Sequence, residues 1–113
     1  SFVDVTSATA TITTAANPVV VSWQASVQNN TANTGMEFMV DIDGTDVIGA
    51  EGVQIETTAT AGRSINISFP FQSAALTAAS HTIKMQWKVN AGTGTILADT
   101  DNPYTFSVME VVD

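Results

Sequence analysis

The ten residues His81 to Asn90, HTIKMQWKVN, restrict the fold more than any other stretch of this chain. Ile83, Met85, Trp87 and Val89 alternate with Thr82, Lys84, Gln86 and Lys88, the period-2 signature of a strand with one face in a core and one in water. Wound as a helix, the four apolar side chains would scatter around the cylinder, and Ile, Thr, Trp and Val favour the pleated surface. The segment is therefore expected to be a central strand, with Trp87 packed in the core.

The same period recurs along the chain. Phe2 to Thr6 and Ala8 to Thr14 read as two short strands. Pro18 opens a long one, in which Val19, Val21, Trp23, Ala25 and Val27 face inward. After the polar connector Asn29 to Gly35, a strand turns Met36, Phe38, Val40 and Ile42 inward and Glu37, Asp41 and Asp43 outward. Asp43-Gly44 predicts a tight hairpin turn, because glycine supplies the positive φ that such a turn demands, and Asp46 to Ala50 should return along it. Val53 to Thr60 gives a weaker polar strand. Ile65, Ile67, Phe69 and Phe71 alternate again, and Pro70 among them requires an edge or a bulge. Gln72 to Ser80 reads as a loop. Ile96 to Ala98 and Tyr104 to Val112 supply the last two strands, with Tyr104, Phe106 and Val108 on one side. Many short strands, no helix and turns marked by Gly, Asn and Pro define an all-β chain, a single-domain antiparallel β-sandwich or barrel over residues 1–113.

The stretch Leu76 to Val89, followed by Ala98-Asp99, Asn102-Pro103 and Phe106 to Val111, resembles the C-terminal half of a jelly-roll module of tailed-virus virion proteins: capsid decoration proteins, head fibres and tail-fibre tips. Phe2-Val3-Asp4-Val5, the strand Val19 to Val27 and the turn Ile42 to Thr45 match its N-terminal half more loosely. The module is similar in layout to the trimeric jelly rolls of tumour necrosis factor and the complement globular heads. The resemblance implies a jelly roll and a homotrimer on the outer surface of a capsid, bound to the major capsid protein or another virion protein. A fibre tip that recognises a receptor or glycan is the alternative. The chain starts and ends close to strands without a stalk, which favours decoration in this expectation.

Composition narrows the chemistry. Eleven acidic residues against Arg63, Lys84 and Lys88 give a formal charge of −8, so no basic stripe exists to displace counterions from nucleic acid or anionic lipid. Neither nucleic acid nor membrane is an expected partner, and no apolar run approaches the ~20 residues of a helical span. There is no cysteine, hence no thiolate nucleophile or zinc-thiolate site. Charged residues are only 12% of the chain, which suits a β-domain whose faces are polar but uncharged, or covered by neighbours.

Two oxygen-rich stretches are candidate cation sites. Asp41, Asp43 and Asp46 flank Gly44, but the loop lacks the distal bidentate Glu of a calcium hand, since Gly52 stands there. A hairpin with solvent-facing acids explains the spacing as well. Asp99 and Asp101 precede Asn102-Pro103, where Asx-turn bonding explains the composition. No cofactor is expected. His81 is the sole histidine and no nucleophile motif accompanies it, so it should simply meet solvent and the chain should not be an enzyme. Trp23 and Trp87 have the chemistry of a sugar-stacking platform, yet both sit on the apolar side of their strands, where core packing accounts for them. Met39 and Met109 fall on otherwise polar faces and are the candidate partner surface.

Overall fold

The computed structural model describes residues 1–99 and 101–112; Thr100, within the second acidic loop, and Asp113, at the end of the expected domain, lie outside the described residues. Nine strands follow one another: β1 (Val3–Thr13), β2 (Val19–Asn29), β3 (Gly35–Ile42), β4 (Thr45–Asp46), β5 (Val53–Glu56), β6 (Ile65–Gln72), β7 (Ser80–Val89), β8 (Gly94–Leu97) and β9 (Thr105–Glu110). They form two antiparallel sheets. In the first, β7 lies between β1 and β3, and β3 carries β4 and β5 on its far side. In the second, β2 is central, with β6 along one side and β9 and then β8 sharing the other.

The chain is thus an all-β sandwich. Its core is the set of side chains that alternation selects: Val19, Val21, Trp23, Ala25 and Val27 of β2 meet Met36, Phe38 and Val40 of β3 and Ile83 and Met85 of β7. Trp23 stacks at 5.3 Å on Phe38 and meets Tyr104 edge-on at 6.2 Å, so one indole joins both sheets. Pro70 lies exposed on β6, which pairs only with β2, so its missing N–H breaks no second ladder. Asp43 and Gly44 take φ of 55° and 84°, the two positive values that a two-residue hairpin turn requires.

The pairs β1·β7, β2·β6 and β3·β5 nest inside one another and alternate between the sheets. Such wrapping is found in jelly rolls, but a full one places four strands in nested pairs in each sheet. Here β8 and β9 complete the second sheet instead, both against β2. The antiparallel sandwich is the established fold, and the jelly roll is a finer proposal.

Three elements differ in detail from the sequence expectation; β5, for one, stops at Glu56 rather than Thr60. The two N-terminal strands are one, β1, in which Val5 to Ala8 stand opposite Met85 alone, with Ser7 at φ 64°. This bulge switches the inward parity, so that both Val5 and Ala8 are buried. The return strand after Gly44 is only Thr45–Asp46: Val47 N still bonds the Val40 carbonyl, and the chain then closes a turn, Gly52 N to the Ile48 carbonyl, before β5 pairs with the same strand, β3.

Candidate functional site

The outer face of the β1–β7–β3 sheet carries nearly all the paired charge. Lys84 and Gln86 both bond Asp4, at 3.1 and 2.9 Å, and hold its carboxyl below the usual range, Gln86 contributing most. Lys88 lies 3.0 Å from Oε2 of Glu37, 3.8 Å from Glu51 and 4.7 Å from the centre of the Phe2 ring. Gln54 donates to Glu37 Oε1 at 2.7 Å. The Lys88 ammonium keeps the Glu37 carboxyl below its ordinary value although the side chain is buried.

Met39 belongs to this face, as its parity predicts, but it is not available to a partner. It is fully buried: the chain at Gly52 passes so close to it that a Cβ there would stand 3.5 Å from the Met39 methyl. Glu37 and Asp41 are buried as well, so these acids do not face solvent.

At the end of this sheet the acids expected near Gly44 go separate ways. Asp41 Oδ1 caps the Gly44 N–H at 2.9 Å. Asp46 sits opposite Asp41 in the ladder and is exposed. Asp43 turns instead to His81, with Oδ2 2.6 Å from Nδ1, while its Oδ1 accepts the Thr82 N–H at 2.8 Å. His81 Nε2 faces the Thr77 carbonyl at 2.8 Å, and that carbonyl also accepts the Thr14 hydroxyl at 2.7 Å. Far from meeting solvent, His81 is only 6% exposed. With acceptors at both ring nitrogens, the imidazolium is the favoured form: Asp43 first, then Thr77, raises its pKa, and His81 in turn lowers that of Asp43. An Asp–His pair is two of the three members of a hydrolytic triad, but here Nε2 is committed to a carbonyl, with the Thr77 hydroxyl farther off at 3.5 Å. The group clamps the turn after β3, the start of β7 and the loop before it. A lone histidine 38 residues from its partner gives no local sequence signal.

The second acidic loop is closed on itself. Asp99 Oδ1 accepts from Asp101 N, Asn102 N and Asn102 Nδ2 at 3.0, 2.9 and 2.8 Å, the Asx-turn bonding that the composition predicts. The Asn102 amide is the main reason that the Asp99 carboxyl lies below its usual value. Among the described residues no three His, Cys, Asp or Glu come together as a metal site.

The outer face of the other sheet is different in kind. Its cross-strand rows read Gln72–Val20–Met109, Pro70–Ser22–Ser107, Ser68–Gln24–Thr105 and Asn66–Ser26–Leu97, without a single charged side chain. Met109 is 63% exposed at one end of it. Nothing in any one strand announces this face, because it is assembled from four.

Between the two sheets, at the end where β1 bulges, lies a cleft of about 780 Å³ bordered by Ser7, Trp87, Asp99, Asn102 and Tyr104. Trp87 is on the inward side of β7 yet only half-buried. Gly94 lies against its ring, a Cβ there standing 2.6 Å from Cζ3, and the bulge in β1 leaves the indole bordering the cleft. The expectation of a core Trp87 is corrected to this extent; Trp23, 1% exposed, is the true core indole.

Fold and surface together define a β-sandwich with a charged face, an uncharged face and a cleft between the sheets. Comparison with protein-family models, curated proteins and solved structures finds no match for the chain.

Proposed function

We propose that this domain is a structural virion module, a capsid decoration protein that assembles as a homotrimer on the outer surface of the head and seats its uncharged sheet face on a neighbouring subunit. The observation that carries this reading is the segregation of charge: Asp4, Glu37, Asp41, Lys84 and Lys88 on one sheet, and none in the rows from Gln72–Val20–Met109 to Asn66–Ser26–Leu97 on the other. Burying small hydroxyls, amides, Pro70 and Met109 costs little desolvation, whereas each unpaired charge would cost several kcal/mol. A face of serine, threonine and glutamine also keeps the free subunit soluble until it docks. The resemblance of the sequence to trimeric virion jelly rolls supplies the choice of partner, a second copy first and the major capsid protein next.

Light scattering at micromolar concentration tests the trimer, and the expected mass is three chains. A charge introduced at the centre of the face, Ser22→Lys with Ser107→Lys, should return the protein to monomers that keep the circular-dichroism spectrum of the folded β-sandwich. A monodisperse wild-type monomer would remove the trimer from the reading. Electron cryo-microscopy of the parent particle tests the place: density on the head shell supports decoration, and density at a tail-fibre tip moves the function to receptor binding.

A further inference from the structure

We infer that the cleft between the sheets is a binding site for a neutral saccharide, with Trp87 as its stacking surface and Asp99 and Asn102 as its hydroxyl acceptors. The site is separate from the uncharged sheet face, and the inference does not depend on the assembly reading.

Four observations combine. A cavity of about 780 Å³ is within the roughly 300–1,000 Å³ typical of small-ligand sites, and fits one or two sugar rings. Trp87 is one of two half-buried aromatics at its border, the other being Tyr104, and the C–H face of a pyranose is an apolar surface suited to an indole. Asp99 is already oriented: three donors fix Oδ1, so Oδ2 keeps its acceptor capacity on a carboxylate that cannot swing away. Asn102 spends its amide N–H on Asp99 and keeps its carbonyl oxygen as a second acceptor. Vicinal sugar hydroxyls are donors that match such a pair.

The walls are also held apart at a fixed width. Tyr104, just before β9, donates its hydroxyl to the Thr6 carbonyl in β1 at 2.8 Å, tying one sheet to the other across the cleft. A site whose walls and carboxylate are set beforehand loses less ordering entropy on binding. Among the described residues the lining contains no Lys, Arg or His, so an anionic ligand would meet Asp99 without a counter-charge. A phosphate, a sulfated sugar or a sialoside is thereby disfavoured.

The test is a tryptophan-fluorescence titration with lactose, maltose and cellobiose as neutral probes and sialyllactose as the anionic one, preceded by a printed panel of neutral oligosaccharides to find the preferred linkage. Trp23 is sealed in the core, so a shift in emission on binding reports Trp87. At least one neutral saccharide should bind, and Asp99→Asn, which preserves the Oδ1 acceptor of the turn, should weaken it by about tenfold or more, roughly the loss of one charge-assisted hydrogen bond. Trp87→Phe should weaken it too. An unchanged melting temperature for Asp99→Asn separates lost binding from lost fold. The inference is overturned if no neutral saccharide on the panel binds, if Asp99→Asn and Trp87→Phe bind as well as the wild type, or if sialyllactose binds more tightly than lactose.

Discussion

His81 and Asp43 meet with Nδ1 and Oδ2 2.6 Å apart, joining the first residues of β7 to the turn that ends β3. The backbone repeats the link, since Asp43 N donates to the Thr82 carbonyl at 2.9 Å and Thr82 N donates back to Asp43 Oδ1. On the other side of the ring, Nε2 reaches the Thr77 carbonyl and through it Thr14, where β1 ends. One imidazole ring therefore ties together the corner where three segments converge.

Stability should depend on pH through this pair. His81 has a raised pKa, so its contribution is complete below the ordinary value of 6.5 and is lost as the pH climbs through the higher folded value. Asp43 has a lowered pKa, so its contribution is present above the ordinary 3.8 and is lost as the pH falls through the lower folded value. Stability is expected to be greatest between these two ordinary values and to decline toward mildly alkaline pH. Melting curves from about pH 6 to about pH 9 should show the decline, and His81→Gln should flatten it. A wild-type profile without slope in this range would remove the imidazolium clamp.

The two tryptophans should not be equivalent. Trp23→Ala removes a sealed indole that touches both Phe38 and Tyr104, and should cost about 3–5 kcal/mol. Trp87→Ala should cost clearly less, because part of its surface already meets the cleft. Chemical denaturation of both variants gives the comparison, and equal losses would mean that Trp87 is as enclosed as Trp23.

Gly44 and Gly52 separate backbone strain from crowding. Gly44 has φ +84° and open space where a Cβ would go, so Gly44→Ala should cost about 1 kcal/mol for the left-handed backbone alone. Gly52 has φ +66° and its Cβ would strike the Phe38 carbonyl, so Gly52→Ala should cost several times more and lift the cover from Met39. Denaturation midpoints would settle the order. If the two losses are equal, the segment over Met39 yields more readily than its contacts imply.

A chelator should leave the melting temperature unchanged, and calcium should not raise it. Asp41 is spent on Gly44, Asp43 on His81 and Asp99 on its own turn, so none of these carboxylates offers both oxygens to a cation. A calcium-dependent rise in melting temperature would identify a site shared between subunits.

Alternation along single strands was enough to determine the inward set. Val19, Val21, Trp23, Ala25 and Val27 in β2, Met36, Phe38, Val40 and Ile42 in β3 and Ile83 and Met85 in β7 are buried as the sequence expects, and the Asp43-Gly44 turn takes the positive φ values that its residues invite. These features depend on neighbours within a few residues, where sterics and the pleat act directly. The bulge in β1 was not legible: the sequence alone reads a break between two strands where the structure has one strand whose inward parity changes between Val5 and Ala8. What lies over a face depends on distant parts of the chain, and there only the tertiary structure decided. Met39 has the parity of an exposed residue, but the segment at Gly52 covers it. His81 looks solvated until the turn at Asp43 arrives beside it. Trp87 keeps its inward parity yet borders a cleft, because the bulge in β1 and the short β8 leave the end of the sandwich open. The uncharged face exists only once β6, β2, β8 and β9 are laid side by side, since the period of a strand fixes which way a side chain points and not which strand will stand next to it.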